Sequence, residues 1–307
     1  MPKIAQAVSR TDIAVGGWLD RYAPAPVRPY ARLMRLDRPI GTWLLLWPCW
    51  WSLALAAPGW PDPWLMALFA VGALVMRGAG CTVNDIADRD IDGRVARTAT
   101  RPLPSGDVSL FQALVLLGFL LALGFAILVQ LGAVAIWLGI AALPLIGLYP
   151  FMKRITWWPQ AWLGLTFNWG ALIGWAAVTG TVGAPPLALY AAGIAWTLGY
   201  DTIYAHQDKE DDALIGVKSS ARRLGAATRP WLYAFYAVAV ALIGVAGSLA
   251  GLAWPFYLGL GLAAAQLAWQ AARVDIDAPA DCLATFKSNK WLGLIVFAAI
   301  VAGRVLV

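Results

Sequence analysis

Long apolar runs constrain this chain more than any other feature of its sequence. Of its 307 residues, 61% are hydrophobic and 13% are charged, which is too apolar for a soluble domain. A bilayer crossing takes about 20 apolar residues and must satisfy its own backbone hydrogen bonds, so the runs predict transmembrane helices. We place nine of them, at about 40–57, 63–83, 109–130, 132–150, 160–179, 186–207, 230–249, 252–272 and 289–307.

The basic residues lie almost entirely on one side of this arrangement. The segments 1–39, 84–108, 151–159, 208–229 and 273–290 hold 21 of the 23 Lys and Arg residues, and the alternate loops hold none. Basic loops mark the cytoplasmic side, so the N-terminus is predicted to be cytoplasmic and the C-terminus to lie outside. Because the charge is spread over short loops, the net charge of +6 does not indicate a nucleic-acid surface.

The first 39 residues are polar, and residues 24–39 are rich in proline. We interpret 1–39 as an N-terminal arm on the cytoplasmic side, with a short surface helix at 13–22 followed by a linker. Residues 40–307 then form one nine-helix domain. The arm lacks an Arg- and Ser-rich transit signal, which favours a bacterial inner membrane, with the active site on its cytoplasmic side.

An acid-rich stretch, NDIADRDID, closes the second apolar run. At about 100° per residue, four of its residues share one face of a helix: Asn84, Asp85, Asp88 and Asp92. Clustered carboxylates repel one another unless a cation lies between them. Oxygen ligands at this spacing suit a hard cation such as Mg²⁺, which usually shares its shell with water and phosphate.

A second acidic stretch, YDTIYAHQDKEDD, closes the sixth run. The same helical spacing puts Asp201, Asp208 and Asp212 on one face, with Asp211 to one side. The alternative is that both stretches are solvated loops with helix-capping aspartates. Against it, the two windows hold 9 of the 17 acidic residues of the chain. His206 lies off the acidic face and is a weak ligand candidate.

Two carboxylate clusters on the same side can hold two or three Mg²⁺ ions, which in turn bind a diphosphate. A diphosphate at the mouth of an apolar bundle indicates a substrate with a long apolar tail, such as a polyprenyl diphosphate. Its departure leaves an allylic cation, which needs protection from water and is stabilised by aromatic side chains. The candidates, for which plain packing is the competing interpretation, are Tyr149, Tyr204 and Trp169.

Several long stretches resemble the UbiA superfamily of intramembrane prenyltransferases. They are GCTVNDIADRDIDGRVARTATRPLPSG, YDTIYAHQDKEDDALIGVKSS, RLDRPIGTWLLLWP, YPFMKRITWWPQ and CLATFKSNKWLG. The resemblance covers about residues 32–307 and is to the members that act on 4-hydroxybenzoate in ubiquinone biosynthesis. It implies a nine-helix bundle around a central cavity. It also implies Mg²⁺-dependent transfer of a polyprenyl group to the ring carbon ortho to the hydroxyl, with release of pyrophosphate.

The resemblance also implies which residues bind metal and diphosphate. Asp88 and Asp208 are expected to be indispensable for turnover. The expected metal ligands are Asn84, Asp85, Asp88, Asp92, Asp208 and Asp212. The basic residues expected near the diphosphate are Arg97, Arg101 and Lys218.

The acceptor needs a site of its own, because 4-hydroxybenzoate is an anion at neutral pH. Arg154 is the first choice for its carboxylate, since it ends the fourth apolar run on the basic side. Lys153 and Arg38 are the alternatives, and simple marking of membrane topology is the competing interpretation of the pair at 153–154. Asp201 is expected to orient or deprotonate the phenol, which makes the ortho carbon nucleophilic.

Two polar residues fall inside apolar runs, where they are costly unless paired. We interpret Arg77 as lining the cavity or pairing with an acid, and Asn168 as lining the cavity. Gly78 and Gly80 are expected to allow close approach of helices rather than to bind substrate.

Two other functions stay open. A member of the same superfamily could use another aromatic acceptor, such as homogentisate or a naphthoate. A cation transporter would need ionisable residues near the middle of the bilayer, whereas these acids lie at helix ends. The expected partners are therefore polyprenyl diphosphate, 4-hydroxybenzoate and the lipid bilayer, and no feature of the sequence points to an obligatory protein partner.

Overall fold

The structure, a computed structural model, describes residue 13 and residues 16–93, 98–214 and 216–306, without the side chains of residues 90, 91 and 211. This part of the chain is helical and contains no β-strand. Its α-helices are α1 Trp18–Tyr22, α2 Arg28–Leu33, α3 Ile40–Ala56, α4 Pro63–Asp92, α5 Leu110–Leu128, α6 Ala133–Ile155, α7 Pro159–Phe167, α8 Gly170–Thr179, α9 Ala184–Ala205, α10 Lys209–Leu214, α11 Ser220–Leu224, α12 Thr228–Leu249, α13 Trp254–Arg273 and α14 Pro279–Val305.

Within the described residues, six stretches are long and apolar enough to cross a membrane, and α3 is a shorter apolar helix. This confirms an all-helical chain with several candidate spans, while the count of nine stays a prediction. The six stretches are Pro63–Arg89, Leu110–Leu128, Ala133–Ile155, Pro159–Thr179, Ser220–Leu249 and Pro279–Val305.

The predicted span at 160–179 is not one helix, because α7 ends and α8 begins on either side of Asn168 and Trp169. Asn168 is only 1% exposed. Its amide nitrogen donates to the backbone carbonyl of Gly164 at 2.9 Å and to the hydroxyl of Thr197 at 2.8 Å. A buried amide thus satisfies a carbonyl at the end of α7, which makes the break stable away from water.

The expected linker at 24–39 contains a helix, α2. Leu33 at its end is fully buried in a core cluster with Leu103, Val108 and Ala113. The proline content of this segment had predicted a linker. One proline instead occupies the first turn of α2, where a helix tolerates it.

The chain divides into two compact units. The first unit is Met1–Thr42 with Val71–Ile127, and the second unit is Trp43–Ala70 with Leu128–Val307. In the first unit, α4 and α5 pack through Val75, Ala79 and Leu120.

Buried polar side chains join helices of the second unit. The hydroxyl of Tyr236 donates to Gln270 at 2.9 Å, and the indole of Trp196 donates to Asn289 at 2.8 Å. The indole of Trp51 donates to the backbone carbonyl of Gly293 at 2.8 Å. Since each side chain comes from a different helix than its partner, these bonds fix helix positions where lipid offers no alternative partner.

Glycine permits the close contact of α8 with α3 in the second unit. A Cβ atom on Gly174 would lie 2.8 Å from the backbone oxygen of Cys49 and 3.2 Å from Cβ of Ser52. Because the nearest atom belongs to the backbone, the contact can be relieved only by moving a helix.

We predict that Gly174→Ala lowers the free energy of unfolding by about 1–3 kcal/mol, the usual cost of overpacking a core. Gly147→Ala in α6 is the matched control, because none of the described residues lies within 4 Å of a Cβ at that position. The control should be neutral or slightly stabilising, since alanine favours helix. Thermal unfolding in detergent checks both variants, and equal midpoints would contradict the packing described for Gly174.

The turn after α9 is polar yet buried. His206 is 3% exposed, and its Nε2 lies 2.9 Å from the hydroxyl of Thr228. This hydrogen bond joins the turn to the start of α12.

Candidate functional site

The first acid motif occupies the last turns of α4, which continues to Asp92, well beyond the predicted end of the span at residue 83. Its expected face is buried, with Asp85 0% exposed, Asp88 1% and Asp92 6%. Asn84 is half-buried. A continuous helix therefore puts these acids on one inner face, where they need compensating positive charge.

Arg35 supplies part of that charge. Its Nη2 donates to both carboxylate oxygens of Asp85, at 2.7 and 2.8 Å. The sequence analysis assigned no role to Arg35 and named Arg38, in the same RLDRP stretch, only as an alternative for the acceptor carboxylate. The Nε of Arg38 donates at 3.3 Å to its neighbour Asp37. The stretch itself was the available signal, and its spacing could not tell which arginine turns toward the motif.

Arg101 also reaches the first motif, although it was expected at the diphosphate. Its Nη1 donates to Asp92 at 2.7 Å and lies 3.4 Å from an oxygen of Asp85. The hydroxyl of Thr98 donates to the backbone carbonyl of Asp92 at 2.9 Å, which ties Thr98 to the end of α4. Arg97, the other expected residue, lies outside the described residues.

Arg77 lies earlier on α4 and is half-buried. Its guanidinium lies so close to Gly41 that a Cβ atom there would overlap it. Gly78 allows a close approach of Met34, whereas no described residue lies within 4 Å of a Cβ at Gly80. The structure therefore supports the predicted packing role for Gly78, and that of Gly80 stays a prediction.

The second acid motif does not lie on one continuous helix, contrary to the prediction. Asp201 is on α9, Asp208 ends a 3₁₀ turn and Asp212 is on α10. A 3₁₀ turn has three residues per turn, so it changes the angles calculated for an α-helix. The three side chains are partly buried, and the side chain of Asp211 lies outside the described part of the chain.

The loop after the second motif is held against the end of α6. The backbone nitrogen of Lys218 donates to the carbonyl of Lys153 at 2.9 Å, and its ammonium donates to the carbonyl of Ile155 at 3.1 Å. The guanidinium of Arg222 lies 5.4 Å from the ring centre of Trp157. Arg154 beside them is exposed. Residues expected at the acceptor and at the diphosphate thus come together in the second unit.

The three aromatic candidates lie in different surroundings. Tyr204 packs on Phe286 with ring centres 4.5 Å apart. The indole of Trp169 donates to the carbonyl of Leu138 at 2.8 Å and meets the edge of Tyr190. Tyr149 is half-buried on α6. Packing and hydrogen bonding therefore explain the positions of Tyr204 and Trp169 without a substrate.

The candidate metal ligands are all oxygen donors, which is the chemistry that Mg²⁺ prefers. Among the described residues, no three His, Cys, Asp or Glu side chains are grouped so as to hold a metal ion. An all-protein cage is not what Mg²⁺ usually needs, because one or two carboxylates with water and substrate phosphate complete its shell. The donors present fit that kind of site.

Comparison with known proteins gives one family and closely similar relatives. Residues 45–299 match the UbiA prenyltransferase family. The chain is 53% identical over 291 residues to the mitochondrial 4-hydroxybenzoate polyprenyltransferase of Arabidopsis thaliana, covering 94% of this chain and 71% of the plant protein. It is 52% identical over 285 residues to the human protein of the same name, covering 92% and 77%.

These relatives contradict the predicted bacterial inner membrane and its cytoplasmic active site, because both are mitochondrial proteins. They point to a mitochondrial membrane instead. The prediction rested on the composition of the first residues, which lie outside the stretch that matches the family.

The fold agrees with the family match. The apo structure of a UbiA homologue from Aeropyrum pernix K1 has a TM-score of 0.72 to this chain at 29% identity, covering 84% of this chain and 96% of that one. By sequence and by fold, this chain belongs to the UbiA prenyltransferase family.

Proposed function

We propose that this chain transfers a polyprenyl group from polyprenyl diphosphate to 4-hydroxybenzoate, in ubiquinone biosynthesis. The bond between the prenyl carbon and the diphosphate breaks, a carbon–carbon bond forms ortho to the hydroxyl, and the ring proton leaves. The observation that carries the proposal is the identity of 52–53%, over more than nine-tenths of this chain, to enzymes of that name.

We infer that the reaction depends on two or three Mg²⁺ ions. When bound, Mg²⁺ would neutralise the diphosphate and stabilise the departing pyrophosphate. Asn84, Asp88 and Asp92 of the first motif would hold it, as would Asp208 and Asp212 of the second. Their support is the oxygen-only donor set and the burial of Asp88 and Asp92, which strengthens their interaction with a cation.

Basic side chains would bind the charged ends of both substrates. Arg154 is exposed at the end of α6 and would hold the acceptor carboxylate, with Lys153 beside it. Arg101 and Lys218 would neutralise diphosphate oxygens. Asp201 would orient or deprotonate the phenol, which raises the electron density of the ortho carbon. Each role follows from the charge that the bound group carries.

We propose nine membrane-crossing segments, which adds α3, α9 and α13 to the six long apolar stretches. The support is the charge pattern, because 21 of the 23 basic residues fall into alternate loops. This arrangement puts the N-terminus and both acid motifs on the side of the basic loops, and the C-terminus on the other side.

We predict that Asp88→Ala and Asp208→Ala each reduce prenyl transfer by about two orders of magnitude, the scale of losing one preorganised charge partner. Both proteins should still insert into membranes. Asp107→Ala is the control, because Asp107 is an exposed acid outside the motifs. Transfer of radiolabelled prenyl groups in isolated membranes checks this, and near-normal activity of either motif variant would refute the assigned roles.

We predict that Arg154→Ala raises the KM for 4-hydroxybenzoate by about 10- to 100-fold, the loss of one charged hydrogen-bond pair, and changes kcat less. High acceptor concentration should therefore restore part of the rate. Arg273→Ala is the matched control, because Arg273 is also exposed at the end of a helix. An unchanged KM in Arg154→Ala would assign the carboxylate to another cation.

A further inference from the structure

We propose that Arg35 is a positioning residue for the first acid motif. It is the permanent counter-ion of Asp85, which makes Asp85 an internal structural acid rather than a metal ligand. This inference rests on the proposed function, because it divides the NDxxDxxxD motif between metal binding and structure.

The backbone of Arg35 is the first sign of a special role. Its φ is 60°, and it is the only non-glycine residue with positive φ in the described part of the chain. Its nitrogen donates to the carbonyl of Arg32, and the nitrogen of Leu36 donates to that of Ala31, both at 2.9 Å. These two bonds form the Schellman motif that ends α2, in which glycine is the usual residue at the left-handed position.

The side chain explains why arginine occupies a position suited to glycine. Asp85 is 0% exposed and Arg35 only 8%, and one guanidinium nitrogen bonds both oxygens of the carboxylate. A second guanidinium nitrogen donates to the carbonyl of Arg32 at 3.0 Å, so the group is held at the turn. Glycine would relax the backbone but leave a buried charge without its partner, which is strongly destabilising.

Asp92 differs from Asp85 in how it is held. Its partner Arg101 is shared, because the same nitrogen that bonds Asp92 at 2.7 Å also lies 3.4 Å from Asp85. Arg101 comes from the loop after α4, whereas Arg35 is fixed by the turn that it forms. A cation at Asp85 would have to compete with a guanidinium that already bonds both carboxylate oxygens and lies beside it in the buried site, so Asp85 stays with Arg35.

The test compares Arg35→Gly, Asp85→Asn and the double variant of the full chain in detergent with chelator. Arg35→Gly should lower the melting temperature by roughly 10 °C, and adding Asp85→Asn should restore at least half of that loss. The matched control is Arg32→Ala on α2, whose partner Asp20 is only partly buried. It should change the melting temperature by no more than about 2 °C.

A second test measures the binding of Mg²⁺ with inorganic pyrophosphate by calorimetry. It separates a metal ligand from a structural acid, because only the loss of a ligand should weaken Mg²⁺ binding. Asp85→Asn should keep the Mg²⁺ affinity within about threefold of the wild type, while Asp88→Asn should weaken it at least about tenfold. Equal losses in the two variants would overturn the proposal. The proposal would also be overturned if the melting temperature of Arg35→Gly were no lower than that of the Arg32→Ala control. The ion pair with Asp85 would then contribute nothing measurable to stability.

A wild-type chain that binds no Mg²⁺ with pyrophosphate would contradict the proposed function instead. The comparison of melting temperatures would still show whether Arg35 is the structural partner of Asp85, because that comparison needs no metal.

Discussion

The arrangement of the first unit follows from the free-energy cost of burying carboxylates. Asp85, Asp88 and Asp92 lie on the inner face of α4, where an uncompensated charge would destabilise the fold. Arg35, from the turn after α2, and Arg101, from the loop after α4, both return to this face. The acids therefore help to position the turn and Arg101, and the proposed cationic ligand falls to Asp88 and Asp92 rather than to Asp85.

In the second unit the partly buried acids lie at and just beyond the end of a helix. The acids of the second motif follow one another through α9, a 3₁₀ turn and α10, and His206 lies buried in that turn. The loop that follows is tied to the end of α6 by Lys218. The change of helix type sets the directions of Asp201, Asp208 and Asp212, and the tied loop places Lys218 beside the end of α6.

The features that depend only on local helical periodicity could be predicted from the sequence. The shared face of Asp85, Asp88 and Asp92 followed from helical spacing, because α4 continues unbroken to its last turn. The same rule failed for the second motif, where burial of His206 goes with a change of helix type. The pairing of Arg35 with Asp85 was not predicted, because it depends on a left-handed turn that no spacing reveals. The break at Asn168 likewise depends on Thr197, a partner 29 residues away.

Prenyl transfer in isolated membranes tests the central claim most directly. The assay supplies 4-hydroxybenzoate and a polyprenyl diphosphate, first with Mg²⁺ and then with excess chelator. We predict 3-polyprenyl-4-hydroxybenzoate and pyrophosphate with Mg²⁺, and no product after chelation. Product with only another aromatic acceptor, such as homogentisate, would contradict the assigned acceptor while keeping the prenyl chemistry. No product with any acceptor would contradict prenyl transfer itself and leave the two acid motifs with a different ligand.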